Sequence, residues 1–123
     1  APVGTASSEE GTQAVDAAGL RGHVDAETFL AGAEQEGVTI IDVRSPAEYA
    51  EGHLPGSLNI NVEDPTFAAQ IAELDTAGTY ALYCRSGNRS RVAEEAMLAE
   101  GFTNVFGLEG GVGALDPADL VTD

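Results

Sequence analysis

The feature that most constrains the fold of this chain is a regular alternation of short apolar segments with helical segments. Four nearly continuous apolar segments are predicted as strands, at residues 38–43, 58–62, 79–83 and 104–108. Four helices, with their capping residues, are predicted at residues 25–36, 45–52, 64–77 and 90–100. Apolar strands that alternate with helices are typical of a parallel sheet covered on both faces. The sequence therefore predicts an α/β fold.

Length and composition are those of one ordinary globular domain. The chain has 123 residues, of which 43% are hydrophobic and 21% charged, which is not the composition of a disordered protein. No apolar run approaches the length of a membrane span. Residues 1–22 are rich in small and polar side chains, so we predict a flexible N-terminal arm there and a single domain over residues 23–123.

The charge of the chain is strongly negative, but its few cations are clustered. Five arginines and no lysine stand against 21 acidic residues, which gives a net charge of −16 and excludes the basic surface that nucleic acids require. Arg85, Arg89 and Arg91 nevertheless follow directly on Cys84. We therefore expect a local anion site in a protein that otherwise repels anions. With one cysteine and two histidines, we expect no disulfide, metal centre or cofactor.

The segment from Cys84 to Ser90 lies between a predicted strand and a predicted helix. Backbone amides of a tight, glycine-containing loop form a concave anion site, and the helix N-terminus adds its free amides and its dipole. These groups lower the pKa of a neighbouring thiol and make it a nucleophile. The alternatives are a buried structural cysteine or a pair of Cys84 with His53, which we expect instead to hydrogen-bond the backbone of its turn. His23 is expected at the surface or at the edge of the core.

Three patches of sequence resemble the rhodanese-like sulfurtransferases, and the resemblance extends over about residues 23–115. The patches are residues 42–49, residues 53–60 and the loop from Cys84 to Ser90. Two departures are visible. Ser57 stands where the family more often has alanine, and Leu115 stands where it usually has tryptophan after a glycine pair. We therefore expect the last helix of the family to be shortened or lost here.

The resemblance implies the family's fold and chemistry. The fold is a single rhodanese-like domain of three layers, in which a parallel five-stranded sheet has helices on both faces. The activity is that of a thiosulfate sulfurtransferase. Cys84 attacks the outer sulfur of thiosulfate or a similar donor, becomes a persulfide, and passes the sulfur to cyanide or a thiol.

The same resemblance assigns roles to the residues around Cys84. The predicted substrate-binding residues are those of the loop, whose amides surround the persulfide: Arg85, Ser86, Gly87, Asn88, Arg89 and Ser90. Arg85 and Arg89 are candidates for the donor's anionic oxygens. The predicted supporting residues are Arg44, Asp42, Glu48 and His53. For Arg89 an alternative stays open, which is an ion pair with an acid such as Glu48 that only supports the loop. For Arg44 the same two roles stay open, which are contact with the substrate or support of the loop. Asp42 is expected to be structural.

Other functions stay open at this point. A rhodanese-like module that only carries sulfur or binds a protein is one alternative. A phosphatase or arsenate reductase is another, although those relatives have one residue more between the cysteine and the arginine. We expect a monomer whose partners are a small anionic donor and a thiol, cyanide or protein sulfur acceptor. The start at Ala1 is compatible with a secreted or periplasmic protein after signal-peptide removal, and equally with a cytoplasmic chain trimmed at that point.

Overall fold

The structure, a computed structural model, describes residues 20–122. Its five strands are β1 (Gly22–Val24), β2 (Val38–Asp42), β3 (Leu58–Asn59), β4 (Thr79–Tyr83) and β5 (Asn104–Leu108). Its four α-helices are α1 (Ala26–Ala33), α2 (Pro46–Glu51), α3 (Phe67–Ile71) and α4 (Asn88–Ala99). The predicted alternation of strands and helices is confirmed.

All five strands are parallel and form one sheet in the order β1-β5-β4-β2-β3. Successive side chains of a strand point to opposite faces, and β4 shows this clearly. Tyr80 and Leu82 pack in a cluster with residues of α3 and α4, whereas Ala81 and Tyr83 pack in a second cluster with Phe29 of α1. The sheet is thus buried between helices on both faces, as predicted.

The ends of the helices follow the local sequence. The Asp25 side chain accepts a hydrogen bond from the amide of Thr28 and caps α1. In α2, Ser45 and Glu48 form a reciprocal capping box, with Pro46 in the first turn. Both caps satisfy amides that have no partner inside the helix.

The structure differs from the sequence prediction in several elements. β1 was not predicted, because Gly22–Val24 has no apolar run. β3 is two residues long instead of five, and α3 is shorter than predicted. Helix α4 begins at Asn88 rather than Ser90. Helical spacing also predicts Val92 on an apolar face of α4 together with Ala96 and Ala99, but Val92 is exposed. Ala93 and Met97 are the buried residues of this helix that face the core.

The described part of the chain includes the start of the predicted domain and the segment that follows β5. Most of the predicted arm, residues 1–19, lies outside the described residues. Leu20 packs partly buried against the α1 side of the core, and Gly22 begins β1. After β5 the chain forms two 3-10 turns, Gly111–Ala114 and Pro117–Asp119, which agrees with the expected shortening of the last helix. Within residues 20–122, no helix is long and apolar enough to cross a membrane.

Candidate active site

Cys84 lies directly after β4 and is fully buried. The loop that follows turns at Gly87, whose φ of 103° is in the region that favours glycine. This turn directs the Gly87 amide back to the cysteine, and it donates a hydrogen bond to Sγ over 2.9 Å. Helix α4 begins at the next residue, so its N-terminus is close to the sulfur.

The environment of the sulfur favours the thiolate. Burial, the largest single influence, raises the pKa of Cys84. Hydrogen bonds with the Ser90 hydroxyl and with the amides of Ser90, Gly87 and Ser86 act in the opposite direction, and together they hold the pKa below its usual value. A ring of donors around a thiol stabilises an anion at that point. The amides of Ser86, Gly87 and Ser90 are thus placed around Sγ, and their binding of a persulfide stays a prediction.

A cavity of about 790 Å³ lies beside the loop. Arg85 and Ser86 of the loop line it, together with Arg44 and with Gly110 and Val112 from the segment after β5. Arg85 is exposed, and among residues 20–122 no ion pair is formed by it. Its guanidinium is thus available to an anion that enters the cavity. Cys84 itself is fully buried and is not among the residues that line the cavity.

Arg89 faces a different partner. Its two terminal nitrogens donate to the two carboxylate oxygens of Glu48, over 2.8 and 2.9 Å. The hydrogen bonds from Arg89, the largest influence, hold the pKa of Glu48 at about 2, with a further contribution from Ser45. The pair connects the start of α4 to the start of α2. This arrangement agrees with the loop-supporting alternative for Arg89, and its contact with a substrate stays a prediction.

Arg44 is fixed by a buried carboxylate at the end of β2. Nε and Nη2 of Arg44 donate to the Asp42 carboxylate at distances between 2.6 and 3.0 Å. Nη2 also donates to the carbonyl of Gly52. The side chains of Arg44 and Asp42 are 6% and 0% exposed. The guanidinium also lies 5.5 Å from the centre of the Tyr83 ring. Arg44 and Asp42 thus form a structural unit at the wall of the cavity.

His53 contributes to the turn after α2 and not to the thiol. Its ring stacks on Tyr49 with a centroid distance of 3.7 Å, and Nδ1 is 2.8 Å from the carbonyl oxygen of Tyr49. Its backbone pairs with Val121. These contacts are of the structural kind predicted for His53. Asn88, the remaining predicted loop residue, is exposed at the start of α4.

Two residues that were not predicted to belong to the site lie close to it. His23 of β1 and Glu94 of α4 reach the cysteine loop through the side chain of Ser90. The described residues contain no group of three or more His, Cys, Asp or Glu side chains that could hold a metal ion. The site brings together a cysteine whose thiolate is stabilised by the loop and an exposed arginine, Arg85, at the wall of the cavity.

Comparison with known proteins identifies the family. The sequence profile described as "Rhodanese-like domain" matches residues 25–116, and this range includes all three motif patches and the whole cysteine loop. The chain belongs to the rhodanese-like family. The resemblance seen in the sequence is thereby confirmed.

Relatives of this rhodanese-like domain are sulfurtransferases by name. "Thiosulfate sulfurtransferase GlpE" of Pseudomonas entomophila is 32% identical over 76 residues, which are 62% of this chain and 68% of that protein. The protein of the same name from Pseudomonas paraeruginosa is 32% identical over 91 residues, which are 72% of this chain and 81% of that protein. A "Sulfurtransferase" of Allochromatium vinosum is 32% identical over 80 residues, 65% of this chain and 73% of its own.

Solved structures agree with this assignment. A rhodanese-related protein from Thermoplasma volcanium superimposes with a TM-score of 0.66 at 26% identity, covering 84% of this chain and 100% of that one. A rhodanese-like domain protein from Staphylococcus aureus gives a TM-score of 0.73 at 24% identity over 85% of this chain and 99% of that one, and it bears on the fold alone. The rhodanese-like α/β fold is confirmed, and the family is that of the sulfurtransferases.

Proposed function

We propose that this protein is a thiosulfate sulfurtransferase that works through a persulfide on Cys84. The observation that carries the proposal is the set of amides around Sγ, of which the Gly87 amide donates over 2.9 Å. The printed names of the relatives support the same class of activity. Small anionic donors such as thiosulfate fit the exposed Arg85 at the cavity wall.

The proposed reaction has two displacement steps. The Cys84 thiolate attacks the outer sulfur of thiosulfate, the bond between the two sulfur atoms breaks, and sulfite leaves with the electron pair. Cyanide or a thiolate then attacks the outer sulfur of the persulfide, and the Cys84 thiolate leaves. The negative charge is on Sγ in the free enzyme and on the outer sulfur in the persulfide, and the fixed amide dipoles of the loop stabilise it without reorganisation.

Parallel assays test this function against its oxyanion rivals. We expect thiocyanate to form when the protein is mixed with thiosulfate and cyanide, and no hydrolysis of an aryl phosphate or reduction of arsenate. Phosphate-ester or arsenate turnover without thiocyanate formation would contradict the proposal.

Arg85→Ala is expected to raise the Michaelis constant for thiosulfate several-fold with a smaller effect on kcat. Arg85 is exposed at the cavity and forms no ion pair within the described residues, so its charge is free to attract the anion. Part of this attraction is long-range, and added salt should therefore change the variant less than the parent protein. Arg21→Ala is a matched control, since Arg21 is also exposed but donates to Asn104 at the start of β5, outside the cavity. Unchanged thiosulfate kinetics in Arg85→Ala would show that the backbone alone binds the donor.

Insertion of one glycine after Gly87 is expected to reduce sulfur transfer at least tenfold, or about 1.4 kcal/mol of transition-state stabilisation. Four residues separate Cys84 and Arg89, and a longer loop moves the amides away from Sγ. Affinity for phosphate or arsenate should rise at the same time, because the enlarged loop has room for a tetrahedral anion. Thiocyanate formation and oxyanion binding are measured on the folded variant. Full activity would show that loop length does not select sulfur.

A further inference from the structure

A continuous series of polar side chains, outside the residues assigned to the active site apart from Ser90, leads away from the sulfur of Cys84. Sγ lies 3.6 Å from Oγ of Ser90, and that oxygen lies 2.7 Å from Nε2 of His23. Nδ1 of His23 lies 3.3 Å from a carboxylate oxygen of Glu94. The contacts join the cysteine loop, α4 and the edge strand β1.

These hydrogen-bonded side chains are almost completely buried. Ser90 is fully buried, and the side chains of His23 and Glu94 are 4% and 13% exposed. The His23 ring lies across β5 at Gly107, its register partner. A Cβ at residue 107 would be 2.5 Å from Nε2, so glycine is what leaves room for the ring. The other carboxylate oxygen of Glu94 accepts from the amide of Gly22 and holds β1 against α4.

The hydrogen-bond partners define one direction for the protons. A carboxylate accepts only, so the ring proton of neutral His23 is on Nδ1, facing Glu94. Nε2 then accepts the Ser90 hydroxyl proton, and the Ser90 oxygen accepts the Cys84 thiol proton. The carbonyl of Gly87 is a second acceptor for the hydroxyl, but its distance of 3.1 Å is longer than the 2.7 Å to Nε2.

We propose that His23 is a positioning residue that removes the Cys84 proton through the Ser90 hydroxyl, with Glu94 holding the imidazole. The S–H bond of Cys84 breaks and its proton goes to Ser90, while the Ser90 hydroxyl proton goes to Nε2 of His23. The products are a thiolate and an imidazolium whose Nδ1–H faces the Glu94 carboxylate. No oxidant or further reactant is needed, and the proton returns by the same route.

The charges that face His23 are compatible with this role. Burial, the largest influence, lowers the pKa of His23, while Glu94 raises it; Arg91 of α4 lowers it and Glu109 after β5 raises it. The net effect of these groups lowers the pKa of His23, so the ring is neutral before the transfer. The negative charge of the thiolate raises that pKa again once the proton has moved, and Glu94 stabilises the imidazolium on its other side. Arg91 and Glu109 are themselves an ion pair, so their opposite effects on the ring partly cancel.

The sign of one mutational effect separates this relay from simple electrostatics. Removing a negative charge near a thiol stabilises the thiolate and lowers the thiol pKa. The relay predicts that Glu94→Gln raises the thiol pKa instead. A glutamine amide donates a hydrogen bond to Nδ1 and thereby places the ring proton on Nε2. Nε2 can then no longer accept the proton of the Ser90 hydroxyl. Glu95→Gln makes the same charge change on the neighbouring, exposed residue of α4 and reports the electrostatic effect alone.

The experiment is a pH titration of the Cys84 thiolate by its ultraviolet absorbance, with the Cys84→Ser protein as blank. Cys84 is the only thiol, so the signal has one source. We expect Glu94→Gln and His23→Gln to raise the midpoint by about one pH unit, a common size for the loss of a neighbouring group. Glu95→Gln should leave the midpoint unchanged or lower it slightly. His23→Gln keeps an acceptor for the Ser90 hydroxyl but has no site for a proton, so a merely structural role of His23 would leave its midpoint unchanged.

The proposal rests on the proposed nucleophilic role of Cys84, but the titration needs no sulfur donor, so the two can fail separately. A midpoint that falls in Glu94→Gln, or that matches Glu95→Gln, would overturn the relay even if sulfur transfer is observed. If His23→Gln does not fold, the difference between the thiol midpoints of Glu94→Gln and Glu95→Gln is sufficient to test the relay. Raised midpoints in a protein without sulfur transfer would support the relay and contradict the proposed function.

Discussion

Cys84→Ser is expected to reduce thiocyanate formation from thiosulfate and cyanide to background while the fold is retained. Cys84 is the only cysteine in the chain, so no second thiol replaces the lost nucleophile. A serine hydroxyl is a poor nucleophile without a strong base, and it forms no persulfide. The near-isosteric substitution should leave the contacts of the loop with Ser90 and Gly87 in place.

The folded state of the Cys84→Ser variant is checked by circular dichroism and thermal unfolding beside the parent protein. Turnover clearly above background in a folded variant would contradict the persulfide mechanism.

Arg44→Met is expected to destabilise the protein by about 3–5 kcal/mol, the usual cost of leaving one charge of a buried pair uncompensated. The Asp42 carboxylate is fully buried and accepts from Arg44 at both oxygens. Methionine fills part of the volume but donates no hydrogen bond. The measurement is the free energy of unfolding from urea titrations.

Two further variants show whether the buried charge of Asp42 causes the destabilisation of Arg44→Met. Arg91→Met breaks the ion pair of Arg91 with Glu109, in which both side chains are about half exposed. This variant should lower the free energy of unfolding by only about 0–1 kcal/mol. Adding Asp42→Asn to Arg44→Met removes the uncompensated charge and should restore part of the lost stability. A small loss in Arg44→Met, equal to that in Arg91→Met, would contradict the claim that burial of the Asp42 charge makes this pair important for stability.

The cysteine loop could be predicted from sequence because its structure is local. Cys84, Gly87 and the start of α4 lie within a few consecutive residues, and a glycine between a strand and a helix determines where the amides point. The capping box of Ser45 and Glu48 could be predicted for the same reason. Each of these features depends on backbone rules that operate over one turn.

The partners of the side chains could not be predicted with the same success. The pair of Arg89 with Glu48 was predicted only as one of two alternatives, because the two residues are 41 positions apart and meet where α2 and α4 start at the same edge of the sheet. His23 and Ser90 are 67 residues apart, and β1 carries no strand pattern that would have placed His23 beside β5. The exposed Val92 is a related case, because the apolar residues of α4 allow more than one buried face and the sheet decides between them.

Mass spectrometry of the intact protein after mixing with thiosulfate tests the central claim most directly. The persulfide account predicts that the protein gains the mass of one sulfur atom, that the gain is absent in Cys84→Ser, and that cyanide removes it and yields thiocyanate. A protein whose mass stays unchanged with thiosulfate while thiocyanate still forms would contradict the account, as would a sulfur adduct that persists in Cys84→Ser.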